Sequence, residues 1–205
     1  MPKLTYRTFL AATCLFAAAV LMAAPAAGSG VEGKPVAKAP VPRRCAGADA
    51  SAVTSSPGTM RSAVVCLVNR ERTKRGLPAL AVSTQLNRSA QGWTNTMVRT
   101  GLFTHGPGTA FARRIGAYGY EWETAGENIA TGFLTPRSVV VAWMASADHC
   151  RNILNPSFRD VGTGERPIAV GAFASGPATW TQDFGLRIRT RAGSRNRHSM
   201  NGCPY

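Results

Sequence analysis

The chain has 205 residues, of which 44% are hydrophobic and 17% charged, enough for one core of ordinary size rather than several domains. Its 24 basic residues against 10 acidic ones give a net charge of +14, a balance that favours anionic surfaces. No recognisable nucleic-acid module accompanies that charge, so nucleic acid is not an expected partner.

Residues 1–27 read as a secretory signal peptide. Lys3 and Arg7 make a basic start, Phe9 to Met22 is an apolar run short for a bilayer span, and Ala24-Pro25-Ala26-Ala27 offers small residues for cleavage. Its removal leaves 22 basic residues against 10 acidic, a charge of +12, and no transmembrane segment in the mature chain. For an exported protein the available anionic partners are cell-wall polymers and lipid headgroups. Cys14 leaves with the signal, and the remaining Cys45, Cys66, Cys150 and Cys203 form the even set expected of two disulfides in an oxidising compartment. Cys66 and Cys150 fall in helical segments of the core, Cys45 and Cys203 in polar flanks. The expectation is therefore core with core, Cys66–Cys150, and flank with flank, Cys45–Cys203.

Residues 28–58, rich in Ala, Pro, Gly, Ser and Val without a period, read as a flexible linker. The domain proper, 59–186, opens with a helix over about Thr59 to Arg75, whose last turns carry Arg70, Arg72, Lys74 and Arg75 where cations suit the helix dipole; Gly76 stops it. A second helix starts near Ser83 or Thr84, with Leu86, Ala90, Trp93 and Met97 as one apolar stripe, and ends at Gly101. His105 follows on a loop, and a short third helix spans about Thr109 to Ala117. Glu127, after Gly126 and before Asn128, is a carboxylate entering a partly buried place, where it needs a partner or a raised pKa.

Thr135-Pro136 carries the cap-then-proline signature of a fourth helix running to about Met144, and Ser146 is placed to cap a fifth that holds His149 and Cys150. Beyond it, Val161 to Thr163, Ile168 to Ala174 and Thr179 to Leu186 read as strands of a small antiparallel sheet. Helices first and strands later indicate an α+β sandwich with the sheet covered by helices. Residues 187–205 form a basic tail whose Arg187 to His198 stretch reads RIRTRAGSRNRH.

Several long motifs in order, VNRERTKRGLPAL within 67–80, FTH at 103–105, GYEWETAGENIATG at 119–132, AWMASADHCRNILNPSF at 142–158 and WTQDFG at 180–185, resemble the bacterial branch of the CAP superfamily, the cysteine-rich secretory, antigen 5 and pathogenesis-related proteins, also called SCP-like extracellular domains. The resemblance implies an α-β-α sandwich with an open cleft where two histidines face acidic residues. His105 resembles the first histidine, Glu127 the glutamate of the GEN motif and His149 the second histidine, with Asn128 beside them. The second glutamate of the eukaryotic pattern is absent, and Ser146 takes its place after Trp143. Cys150 stands where many bacterial members have arginine.

Two imidazoles and one carboxylate suit Zn²⁺ or a related divalent cation in an open site, so His105, Glu127 and His149 are candidate metal ligands and candidate catalytic residues. No GxSxG or HExxH motif supplies a nucleophile or a metalloprotease helix. Three functions follow for a secreted or wall-associated protein. One is a binding module for a lipid or cell-envelope ligand, in the cleft or an adjacent groove. The second is a metal-dependent hydrolase or protease. The third is a structural envelope protein with a vestigial cleft.

Overall fold

The structure, a computed structural model, describes residues 44–171, 176–188 and 202–203. The signal peptide, the linker before residue 44 and the tail over 189–201 lie outside the described residues. Among the described residues, five helices, α1 (Pro57–Thr73), α2 (Thr84–Thr100), α3 (Ala110–Ala117), α4 (Pro136–Ala145) and α5 (Ala147–Ile153), accompany four strands, β1 (Ala81–Val82), β2 (Trp122–Thr131), β3 (Asp160–Arg166) and β4 (Thr179–Arg187). The strands form one sheet in the order β1-β3-β4-β2; all pairings are antiparallel except the short β1–β3 pair. Among the described residues no helix is long and apolar enough to cross a membrane.

Local chemistry sets the helix ends. Ser56 caps α1 by accepting from Thr59 N, with Pro57 as the first helical residue; Ser83 caps α2 by accepting from Leu86 N, and Gly101 closes it in the left-handed region at φ 71°. Thr135 and Ser138 form a reciprocal capping box on α4.

The sheet lies between two helical layers. On one side, Val161, Trp180, Phe184 and Ala130 pack with Met60, Val64, Val68, Val139, Trp143, Ile153, Leu154 and Phe158 into the main core. On the other, α2 lies so close to β3 that a Cβ on Gly162 would stand 2.1 Å from the Leu86 carbonyl carbon, and one on Gly164 2.4 Å from Gln91 N. Only glycine permits this approach. The contact lets α2 complete the sheet edge: Asn87 Oδ1 accepts from Thr163 N, while Gln91 Oε1 accepts from Glu165 N and Gln91 Nε2 donates to the Glu165 carbonyl. A backbone edge left bare by two-residue β1 is thereby satisfied.

Arg72, wholly buried, ties α1 to the segment at Pro78 and to the end of α5 within one helical layer. Its Nε donates to Pro78 O at 2.9 Å, and its Nη1 donates to Ile153 O at 2.7 Å and Asn155 O at 2.9 Å. Burial, helped by nearby Arg159, lowers its pKa to about 10. It remains charged, and it caps the end of α5.

Three sequence expectations are corrected here. The disulfides pair Cys45 with Cys66 and Cys150 with Cys203, with Cα atoms 5.6 and 5.7 Å apart, so each core cysteine takes a flank cysteine. The Cys66–Cys150 and Cys45–Cys203 pairing expected from segment type fails because Cys45 and Cys203 each pack against the core beside a core cysteine. Secondly, residues 44–56, read as linker, pack against it: Ala48 and Ala52 are buried, Ala52 N donates to Leu134 O, and Asp49 takes two bonds from Arg137. Thirdly, residues 168–171 are not strand, whereas the GEN segment is: β2 is ten residues long and precedes α4, so strands do not simply follow helices.

Candidate functional site

β2 and β4 run side by side with Glu127 opposite Asp183 and Asn128 opposite Gln182. Successive strand side chains alternate between faces. Glu127 and Asp183 therefore face α2, and Asn128 and Gln182 face α5. The Glu127 side chain is 1% exposed and carries two bonds: His105 Nδ1 lies 2.8 Å from Oε1, and Arg114 Nη2 donates to Oε2 at 2.6 Å.

Each partner is positioned by its own neighbours. The loop bearing His105 is pinned where Trp93 Nε1 donates to Thr104 O, Thr104 Oγ1 accepts from Gly106 N, and Arg114 Nη1 donates to His105 O. The Arg114 guanidinium lies over the Trp93 ring, 3.6 Å from its centroid. His105 keeps 44% of its side chain exposed, so its other ring nitrogen, Nε2, is the atom that can meet a ligand.

His149, in the first turns of α5, is near enough to His105 to feel its charge. Burial first and His105 second push the His149 imidazole below its ordinary pKa, with Asp148 opposing them. The His149 backbone is held by Asn128 Nδ2, which donates to His149 O at 3.2 Å; Asn152 Nδ2 donates to both Glu127 O and Asn128 Oδ1. Asn128 is fully buried, so it fastens α5 to β2 instead of lining a cleft. Ser146 marks the joint of α4 and α5, and its side chain makes no cap bond to α5.

The structure joins His105 to Glu127 and leaves the His149 imidazole within electrostatic reach of His105, but the Glu127 carboxylate is already taken. Both of its oxygens are bonded by protein donors, one of them a permanent cation, and among the described residues no group of three or more His, Cys, Asp or Glu is placed to hold a metal ion. A divalent cation would have to displace Arg114. The arrangement does not fit the His105–Glu127–His149 metal set that the residue types suggest.

Two site residues escaped the sequence reading. Arg114 lies in the short α3, where a second arginine, Arg113, masks it. Asp183 is the one acid in β4, whose residues are TWTQDFGLR, and that singularity was the available signal. Its carboxyl is fully buried, with neither oxygen at bonding geometry to a partner; Ser89 and Glu127 are its polar neighbours. Burial first, then the charge of Glu127, raises its pKa well above the ordinary aspartate range.

A concavity lies apart from these residues, between α1 and α4. This groove of about 240 Å³ is lined by Leu67, Val140, Val141 and Met144 together with Arg70, Glu71, Lys74 and Arg137.

An α-β-α sandwich with an acid–histidine pair at the edge of its sheet and two disulfides defines the class of protein. The chain belongs to CAP, the cysteine-rich secretory protein family, whose model matches residues 65–184. Among curated proteins it is 37% identical over 137 residues to YkwD of Bacillus subtilis (strain 168), covering 64% of this chain and 50% of that protein. This chain thus spans about half the length of the curated relative it matches. Among solved structures, an extracellular protein containing an SCP domain from Bacillus anthracis str. Ames is similar at 26% identity and a TM-score of 0.54, over 65% of this chain and 44% of that one. An outer surface protein of Borrelia burgdorferi shares the fold at 21% identity and a TM-score of 0.54, over 61% of this chain and 90% of that one.

Proposed function

We propose that this protein is a secreted CAP-domain binding module whose ligand is an anionic amphiphile of the cell envelope, an acyl chain bearing an acidic head. The observation that carries the reading is the α1–α4 groove, in which four apolar side chains adjoin Arg70, Lys74 and Arg137. Apolar contact takes the chain and the cations take the head. Glu71 is occupied by Lys74 and Arg75, and Arg137 by Asp49, which leaves Arg70 as the groove cation with no ion pair among the described residues. Export is supported by the two disulfides, by the extracellular protein among the similar structures, and by the net charge, which suits an anionic wall.

Calorimetric titration with a single-chain fatty acid and with an uncharged amphiphile of equal length tests it. The acid should bind more tightly, and Val141→Glu, at a residue 61% exposed, should abolish binding without unfolding the protein. Binding of neither probe, or binding indifferent to Val141→Glu, would reject the groove. Retention on isolated cell wall that salt weakens, with no amphiphile bound, would favour the structural envelope role instead.

One observation favours the hydrolase reading: Glu127 accepts at His105 Nδ1, the arrangement that orients a histidine as a general base. Hydrolysis of envelope substrates that persists in both His105→Ala and Glu127→Gln would exclude it.

A further inference from the structure

One polar row crosses the sheet face that packs on α1 and α4. Thr163 of β3 stands opposite Gln182 of β4, and Gln182 in turn stands opposite Asn128 of β2, so three polar side chains lie abreast. Glu165, two residues beyond Thr163 and therefore on the same face, is opposite Trp180. The surrounding residues of this face, Val161, Trp180, Phe184 and Ala130, belong to the main core. Thr163 and Gln182 are inaccessible to solvent, and Glu165 is 2% exposed. Among the described residues, Thr163 Oγ1, Glu165 Oε1 and both Gln182 Nε2 and Oε1 are buried with no atom at bonding geometry.

The side chains around the row have nothing left to offer it. Asn69 of α1 is spent on the Leu80 backbone, Arg72 on the carbonyls at 78, 153 and 155, and Asn128 on His149 O and Asn152. The indole N–H groups of Trp143 and Trp180 donate to Ile129 O and Phe133 O. The other buried residues of α1, Met60, Ala63, Val64, Val65, Leu67 and Val68, are apolar. Thr163 and Gln182 are direct cross-strand neighbours, a relation that sets Cβ atoms roughly 4.5–5.5 Å apart, yet their polar ends do not meet each other. A polar pair within reach but not in contact is the geometry that a bridging water spans.

We infer that ordered water occupies this row, a hydration site between α1 and the sheet that bridges Thr163, Gln182 and Glu165. The chemistry is matched on both sides: Gln182 supplies a donor and an acceptor, the Thr163 hydroxyl can act as either, and Glu165 Oε1 can accept. A buried water makes about three hydrogen bonds, so roughly one or two molecules serve all four atoms. Bare, the same atoms would offset a large part of the stability of a domain this size. β3 is then completed from both faces. Asn87 and Gln91 of α2 serve its backbone, and water serves its side chains. The site also fixes Gln182 beside Asn128, whose amide fastens α5 to β2.

Oxygen-17 relaxation dispersion tests this, because it counts long-lived water molecules and is blind to proton exchange from the Thr163 hydroxyl. The comparison is wild type against Thr163→Val combined with Gln182→Leu, which replaces the row with apolar groups of similar shape. Over a temperature series, the number of water molecules held longer than the protein tumbles should fall by about one or two in the variant. An unchanged number overturns the proposal. If the variant fails to fold, the wild-type protein decides alone: the Gln182 side-chain amide should show water cross-peaks of opposite sign in laboratory-frame and rotating-frame NOE spectra, and their absence overturns the proposal. A high-resolution crystal structure should place water within bonding distance of Thr163 Oγ1 and Gln182. A direct Gln182–Thr163 bond in a dry core would refute it.

Discussion

Replacing Arg72 with alanine should be among the most damaging single changes in the domain, and its size can be worked from the bonds. The guanidinium is inaccessible to solvent and makes three bonds of 2.7–2.9 Å to carbonyls on two separate stretches, 78 and 153–155; Phe158 O lies more loosely at 3.4 Å. Hydrogen bonds from a charged donor contribute about 1.5–3 kcal/mol each, but the contributions do not add, and relief of the buried charge offsets part of the loss. A net cost of about 3–5 kcal/mol remains, a large share of the roughly 5–15 kcal/mol typical of a domain. Urea denaturation should show the midpoint falling by about 1 M or more at an unchanged slope. Arg72→Lys should recover little, because one ammonium cannot span both stretches. Since Arg72 holds the end of α5, and α5 supplies Asn152 to the Glu127 and Asn128 segment, amide exchange in 147–153 should rise before global unfolding. A cost under about 1 kcal/mol, or full rescue by lysine, would refute the reasoning.

Two further outcomes are expected. Peptide mapping without reduction should recover Cys45–Cys66 and Cys150–Cys203; from their sequence separations of 21 and 53 residues, loop-closure entropy assigns about 3 and 4 kcal/mol to them, and denaturation of the paired serine variants should rank the second as the costlier. Burial pushes the Glu165 carboxyl up to about 7 against the opposing Arg166 and Arg61, so Glu165→Gln should match wild type below about pH 4.5 and become the more stable by on the order of 2 kcal/mol by about pH 8, an advantage that pH-dependent denaturation would detect or deny.

What the sequence made legible was whatever local chemistry enforces. Ser56-Pro57, Thr135-Pro136, Gly101 and the stripe from Leu86 to Met97 define helices by caps and period, and the family motifs identify His105, Glu127 and His149. Tertiary context decided the remainder. The ten residues of β2 are strand because β4 pairs with them; their own run, WETAGENIAT, alternates poorly and carries no strand signature. Arg72, read as one of several cations suiting the end of α1, is instead a buried clasp, a role that depends on residues 81 and 83 positions away. The disulfides failed for the same reason. Segment type says where a cysteine sits along the chain, whereas pairing depends on two flanks returning to the core.

The identity of Arg114 decides what the site can recognise. A guanidinium does not release its proton in the pH range where proteins fold, so its bond to Glu127 persists, and an approaching ligand meets imidazoles before it meets a carboxylate. Burial first and His105 second lower the His149 pKa, which favours the uncharged imidazole, both a hydrogen-bonding group and the form that can ligate a cation. On this account metal affinity is suppressed by one side chain, and its removal should release it. Arg114→Gln would free Glu127 Oε2 while preserving a polar neighbour, and calorimetry with Zn²⁺ should then detect binding at least about tenfold tighter than wild type, lost again in Arg114→Gln combined with His149→Ala. Wild-type protein that already binds Zn²⁺ as tightly as the variant, with loss in Glu127→Gln, would show that the ion displaces the guanidinium unaided and that Arg114 does not govern the site.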